Sequence, residues 1–185
     1  MPCLEHSLLQ AEFQWITAMM RISKAAYGII KHRFYSEDLY LLQRNAAWGQ
    51  RFNFISGHQE MEDHGDFATT MVREVQEELS PLKYEREFIL RTISEKPFES
   101  TASSMSAKVE TKYIFFVFQI FFLVTPLRIA MLWESHGSPN RWFSEEELRN
   151  GLGRDGEQIT PFPVSQIIEF IPGGLTGLPD SFYMA

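Results

Sequence analysis

Three glutamates at helical spacing are the residues of this sequence best suited to chemistry. Glu74, Glu77 and Glu78 stand in the run Arg73-Glu74-Val75-Gln76-Glu77-Glu78-Leu79. At i, i+3 and i+4 on a helix, their carboxylates share one face. Ala68, Val72, Val75 and Leu79 recur at three- and four-residue spacing and form a separate apolar stripe. Like charges so placed repel by about 0.2–0.5 kcal/mol per i,i+4 pair. A cluster of hard oxygen ligands is what a magnesium ion and its waters take up. The alternative use of the same residues is a solvated acidic face. His58 and His64 flank acidic residues, but their spacing fits no zinc pattern. Cys3 is the only cysteine, which excludes an intrachain disulfide and gives a reducing, cytoplasmic compartment as the expectation.

The surroundings of these glutamates resemble the Nudix box. That box runs glycine, five residues, glutamate, seven residues, then Arg-Glu, an aliphatic, any residue, Glu-Glu, any residue, glycine and an aliphatic. Arg73 to Glu78 match its second half throughout, and Gly57 starts it. Counting forward from Gly57 puts Asp63 at the first glutamate position, whereas counting back from Arg73 puts Gly65 there. The loop is thus two residues longer than the pattern, and Ser80 and Pro81 replace the closing glycine and aliphatic.

The resemblance implies a single Nudix domain over residues 1–185, an α/β/α sandwich around a mixed β-sheet. Residues 1–22 would be a helical extension and 173–185 a C-terminal tail. It implies that Glu74, Glu77, Glu78 and the Gly57 backbone hold Mg2+ or Mn2+. Arg73 would orient the box carboxylates, and Glu74 or a neighbour would accept a proton from the attacking water. A further acid outside the helix is expected, with Glu134 the first candidate and Glu110 the second. The implied activity is hydrolysis of a pyrophosphate bond in a nucleoside diphosphate linked to another group. The alternative is a Nudix-like module that binds a nucleotide and regulates a partner. The longer loop, Ser80 and Pro81 favour that alternative, while the three glutamates favour catalysis.

The remainder of the 185 residues must position this stretch, and at 44% hydrophobic the chain can bury a substantial core. Its 17 basic and 24 acidic residues give a net charge of −7, which argues against broad nucleic-acid or acidic-membrane affinity. The first twenty residues lack the basic start, apolar run and cleavage site of a signal peptide. The run Tyr113 to Val124 is far shorter than the roughly 20 residues that span a bilayer, so it reads as a buried strand.

Periodicity predicts a helix over residues 5–20, which could cover the sheet, shape specificity or serve a homodimer interface. Strands are predicted at Ala25–Lys31, Leu39–Arg44, Phe52–Ser56, Glu87–Ile93, Lys112–Val124 and Arg128–Trp133. Trp48 sits in the loop Asn45 to Arg51, as a core residue or a ring for a base to stack on. Asp66 is the expected N-cap of the box helix, and Pro81 lies just past its end. Ser94 to Ala107 reads as a loop. Arg141-Trp142-Phe143 resembles the late Nudix element in which a short strand ending in an aromatic pair enters a helix, and Ser144 with Glu147 makes a capping box there. A last helix is predicted over Val164–Ile171, followed by a loose tail from Gly173.

Overall fold

The computed structural model describes residues 20–46, 49–79, 81–104, 107–128 and 140–182. The expected helix at 5–20 (apart from Met20), Trp48, Ser80 and Glu134 lie outside the described residues. Nine strands fall among those described: β1 (Arg21–Ile29), β2 (Lys31–Phe34), β3 (Glu37–Asn45), β4 (Arg51–Asn53), β5 (Ile55–His58), β6 (Phe88–Thr92), β7 (Phe98–Ser103), β8 (Glu110–Phe122) and β9 (Asn140–Ser144). Three helices accompany them: α1 (Phe67–Glu78), α2 (Glu145–Asn150) and α3 (Pro161–Phe170).

The strands form two sheets. The five-stranded sheet runs β5-β1-β8-β6, with β7 also on β8; β1 and β8 are parallel and the other pairs antiparallel. The four-stranded sheet is antiparallel, in the order β2-β3-β4 with β9 on β3. Period-two alternation distributes β1 between two cores. Ala25, Tyr27 and Ile29 face the cluster that receives Val164, Ile167 and Ile168 of α3. Ala26 and Ile30 face the one that receives Met71, Val75 and Leu79 of the box-helix segment. The result is helix, sheet and helix in layers. Gly28 leaves room for this packing: a Cβ there would meet Ile120 Cδ1 of β8 at 2.6 Å and Met71 Sδ of α1 at 3.0 Å.

The structure alters several expectations. Arg21 and Ile22 belong to β1, not to a helical extension. Within Ser94–Ala107, residues Phe98–Ser103 form β7, in register with Phe115 to Glu110 of β8. The predicted strand at Arg128 is instead a helical turn, with Arg128 N donating to Thr125 O at 3.1 Å; its continuation lies outside the described residues. The segment after Gly173 is not loose up to Phe182. Leu175, Ser181 and Phe182 are buried, Phe122 N donates to Ser181 O at 2.7 Å, and Phe182 stacks on Phe122 at 5.2 Å.

Candidate functional site

Helix α1 begins where its cap residue predicts: Asp66 accepts from Ala68 N at 3.0 Å and Thr69 N at 3.3 Å. Between Gly57 and this cap, Met61–Asp63 makes a short 3-10 turn, followed by His64 at φ 51 and Gly65 at φ 80. These two left-handed residues absorb the extra loop length. The forward count from Gly57 is therefore the structurally meaningful one. Asp63 is buried and accepts from Glu60 N at 2.9 Å, Thr70 Oγ1 at 2.9 Å, Arg73 Nε at 3.3 Å and Arg73 Nη2 at 3.1 Å. The Arg73 hydrogen bonds hold its carboxyl down at about 2, outweighing the burial that would raise it.

Arg73 is the hub. Besides gripping Asp63, it donates through Nη2 to His58 O at 3.0 Å and through Nη1 to Glu74 Oε1 at 2.6 Å. Glu77 Oε2 lies 3.5 Å from the same Nη1. One planar guanidinium thus ties the loop, the end of β5 and two box carboxylates together.

The three box glutamates are not equivalent, although their spacing alone puts them on one polar face. The Glu74 side chain is 11% exposed, against 59% for Glu77. Glu74 lies over Gly57 so closely that a Cβ at residue 57 would sit 1.7 Å from its Oε1. Burial pushes the Glu74 carboxyl up to about 7; Arg73 opposes this, and Glu77 and Glu78 add to it. Glu78 is exposed and accepts from Gln43 Nε2 at 2.5 Å.

Gln43 is a site neighbour that the sequence did not single out; only the strand register reveals it. It pairs with Asn53 on β4 and with Asn140 on β9, forming a row of three amides on one sheet face. Asn53 Nδ2 and both amide atoms of Asn140 are buried without a hydrogen-bond partner.

The donor set fits a hard divalent cation: one buried carboxylate only partly compensated by Arg73, beside two exposed ones. As the side chains stand, however, no three His, Cys, Asp or Glu groups converge on one point among the described residues. Glu74 is turned to Arg73, and Glu78 to Gln43. Glu110 is not brought to the cluster. It starts β8, six residues before Phe116, which is level with Gly57 through Ala26. That is roughly 20 Å at about 3.3 Å per residue. His58 and His64 are exposed at the loop ends, where His58 contributes its backbone oxygen to Arg73.

No family model matches this chain, and no curated protein is found to match it. Among solved structures, Shewanella oneidensis NrtR is similar with a TM-score of 0.53 at 12% identity, over 80% of this chain and 60% of that one. The NUDIX domain of the same protein, in complex with ADP ribose, gives 0.49 at 8% identity over 90% and 96%. A NUDIX hydrolase from Nitrosomonas europaea gives 0.46 at 18% identity over 86% and 97%. This chain spans less than two thirds of the longer NrtR chain. Such identities speak to the fold alone. The architecture is the Nudix fold, as the glutamate stretch led one to expect.

Proposed function

We propose that this chain is a divalent-metal-dependent hydrolase that cleaves a pyrophosphate bond in a nucleoside diphosphate linked to another group. The observation that carries the reading is the Arg73 clamp. It fixes Glu74 against Gly57 and keeps Glu77 beside it, at the loop a Nudix-type site would use. Glu74, Glu77, Glu78 and the Gly57 backbone would hold Mg2+ or Mn2+. Bound there, such an ion would neutralise phosphate oxygens and acidify a water.

In this reading Arg73 restricts Glu74 to one orientation, so the carboxylate is in place before substrate arrives. The exposed Glu77 and Glu78 are the groups able to re-aim. Hydrolysis adds the water oxygen to one phosphorus, breaks the bridging P–O bond and passes the water's proton to a carboxylate. Glu74 is the candidate acceptor, with Glu134 a further acid that this proposal retains from the sequence. The net charge of −7 favours a small nucleotide over a long nucleic acid. Among the described residues no helix is long and apolar enough to cross a membrane.

A second reading, a nucleotide-binding module that regulates a partner, is favoured by one feature. Glu74 and Glu78 are already engaged by Arg73 and Gln43, and no three carboxylates converge. Turnover separates the two. Nucleotide sugars, dinucleoside polyphosphates, nucleoside triphosphates and ADP-ribose are offered with magnesium, and products are identified. Release of two phosphate-bearing products, abolished by EDTA and lost in Glu77→Gln, supports the hydrolase. Saturable binding without turnover supports the module.

Thermal unfolding tests the metal independently of activity. A ligand that binds only the native state stabilises it by about 2.7 kcal/mol at a hundredfold excess over Kd. Magnesium should therefore raise the Tm of wild type beyond sodium chloride at matched ionic strength, and far less in Glu77→Gln. Equal effects of magnesium and matched salt on wild type would remove the metal site.

A further inference from the structure

A pocket of about 490 Å3 opens beyond the C-terminal end of α1, lined by Pro81, Lys83, Arg86, Glu87, Val124 and Arg128. None of the box glutamates lines it. Three of its six described lining residues are cations, in a chain whose net charge is −7. Among the described residues Glu87 is the only carboxylate in the wall, and it is already used. Its Oε2 accepts from Lys83 N at 2.9 Å, and its Oε1 pairs with Arg128 Nη2. Glu87 also anchors the wall through its backbone, where Leu123 N donates to its carbonyl at 2.8 Å. Arg128 is thus oriented by a carboxylate that is itself only 13% exposed. Lys83 Nζ and the Arg86 guanidinium have no hydrogen-bond or ion-pair partner among the described residues.

Unpaired cations gathered around a concavity leave a local positive potential that an anion can neutralise. Two arginines suit phosphate best, because the planar guanidinium can bond two of its oxygens at once. Pro81 and Val124 supply an apolar wall, which suits an organic body attached to the phosphate. The volume falls within the range of about 300–1,000 Å3 usual for small-molecule sites. A concavity of this volume on an acidic chain suits such a ligand better than an extended polyanion or an anionic membrane.

We propose that this pocket binds a phosphorylated small molecule, at a site separate from the box carboxylates and independent of whether they hydrolyse anything. Isothermal titration of the whole chain with AMP and with inorganic phosphate, both in EDTA, tests it without any metal-dependent contribution. Saturable AMP binding is expected, tighter than that of inorganic phosphate because of the apolar wall. Lys83→Ala/Arg86→Ala should weaken it by about tenfold or more, each lost contact being charge-assisted. Lys96→Ala, which removes an exposed lysine elsewhere, and Glu77→Gln should leave it unchanged. Circular dichroism checks that the double variant is folded. Absence of saturable binding in wild type overturns the proposal, as does equal affinity in the double variant or an equal loss in Lys96→Ala. Loss in Glu77→Gln alone would place the ligand in the box and overturn it as well.

Discussion

Arg73 determines how the candidate site is assembled, because its guanidinium meets Asp63, the His58 carbonyl and Glu74 at the same time. A lysine keeps the charge but has no planar fork to hold two carboxylates in fixed directions. Arg73→Lys is therefore expected to lower turnover by on the order of tenfold or more while the chain still folds. Equal activity in the lysine variant would reduce Arg73 to a charged neighbour. Glu77→Gln removes a charged ligand in the proposed reaction and should lower turnover by on the order of 10²-fold. Near-normal turnover there would sink the hydrolase reading. Asp63 acts on stability instead. Its carboxyl lies at about 2 in the folded chain against 3.8 ordinarily, so its contribution is whole above pH ~4 and is lost as pH falls through about 2. Hydrogen bonds to a charged group contribute about 1.5–3 kcal/mol. Asp63→Asn should cost about that much at pH 7 and flatten the loss of stability between about pH 4 and 2. Urea unfolding across this range decides, and an unchanged acid limb would mean that Asp63 does not carry the effect.

At the scale of elements, the glutamate stretch was legible because a helix converts spacing directly into faces. The cap at Asp66 and the reciprocal Ser144–Glu147 box, with Glu147 N donating to Ser144 Oγ at 3.3 Å, were legible for the same local reason. What local spacing does not contain is depth. Glu74 differs from Glu77 because β5 runs underneath it, and Gln43 meets Glu78 only through the pairing of β3 with its neighbours. Strand β7 was missed because its alternation is carried by Ser100 and Ala102, too small to signal; its register on β8 makes it a strand. Gly57 shows how strict the contact between elements is. Its backbone needs no left-handed angle, but a Cβ there would occupy the position of the Glu74 carboxylate. Gly57→Ala must expel Glu74 from its place, so activity should fall by on the order of 10²-fold with a modest loss of stability. A Gly57→Ala variant that keeps full turnover would show that Glu74 need not rest there.

The whole molecule is closed by a segment whose composition reads as a tail. Gly173, Gly174, Gly177 and Pro179 make residues 173–182 look unstructured, and no periodicity announces their partner. That partner is Lys31, a buried cation whose three donors are all met: Thr176 O at 2.8 Å, Leu178 O at 2.7 Å and Asp38 Oδ2 at 2.8 Å. Around it, Lys31 N donates to Ser181 Oγ at 2.9 Å, and Ser181 N returns the bond to Lys31 O at 2.8 Å. The backbone bonds alone fix register along one short stretch. The ammonium group holds the preceding turn, where Leu175 is inserted in the core beside α3. Lys31→Met keeps the apolar stem and removes the donors, leaving two carbonyls without their partner and Asp38 with Arg33 alone. The cost should be about 1–3 kcal/mol, since both carbonyls are only part-buried and water can replace some of the lost bonding. At roughly 2–4 °C per kcal/mol for a domain of this size, the Tm should fall visibly. A general weakening of the core would produce the same fall, so hydrogen exchange must locate it. In Lys31→Met the amides of Leu178 and Ser181 should exchange faster by on the order of tenfold or more, through local opening of the segment. Amides in the centre of β1, such as that of Tyr27, should follow only the global stability. If Leu178 and Ser181 stay as protected relative to Tyr27 as they are in wild type, Lys31 does not hold the segment down.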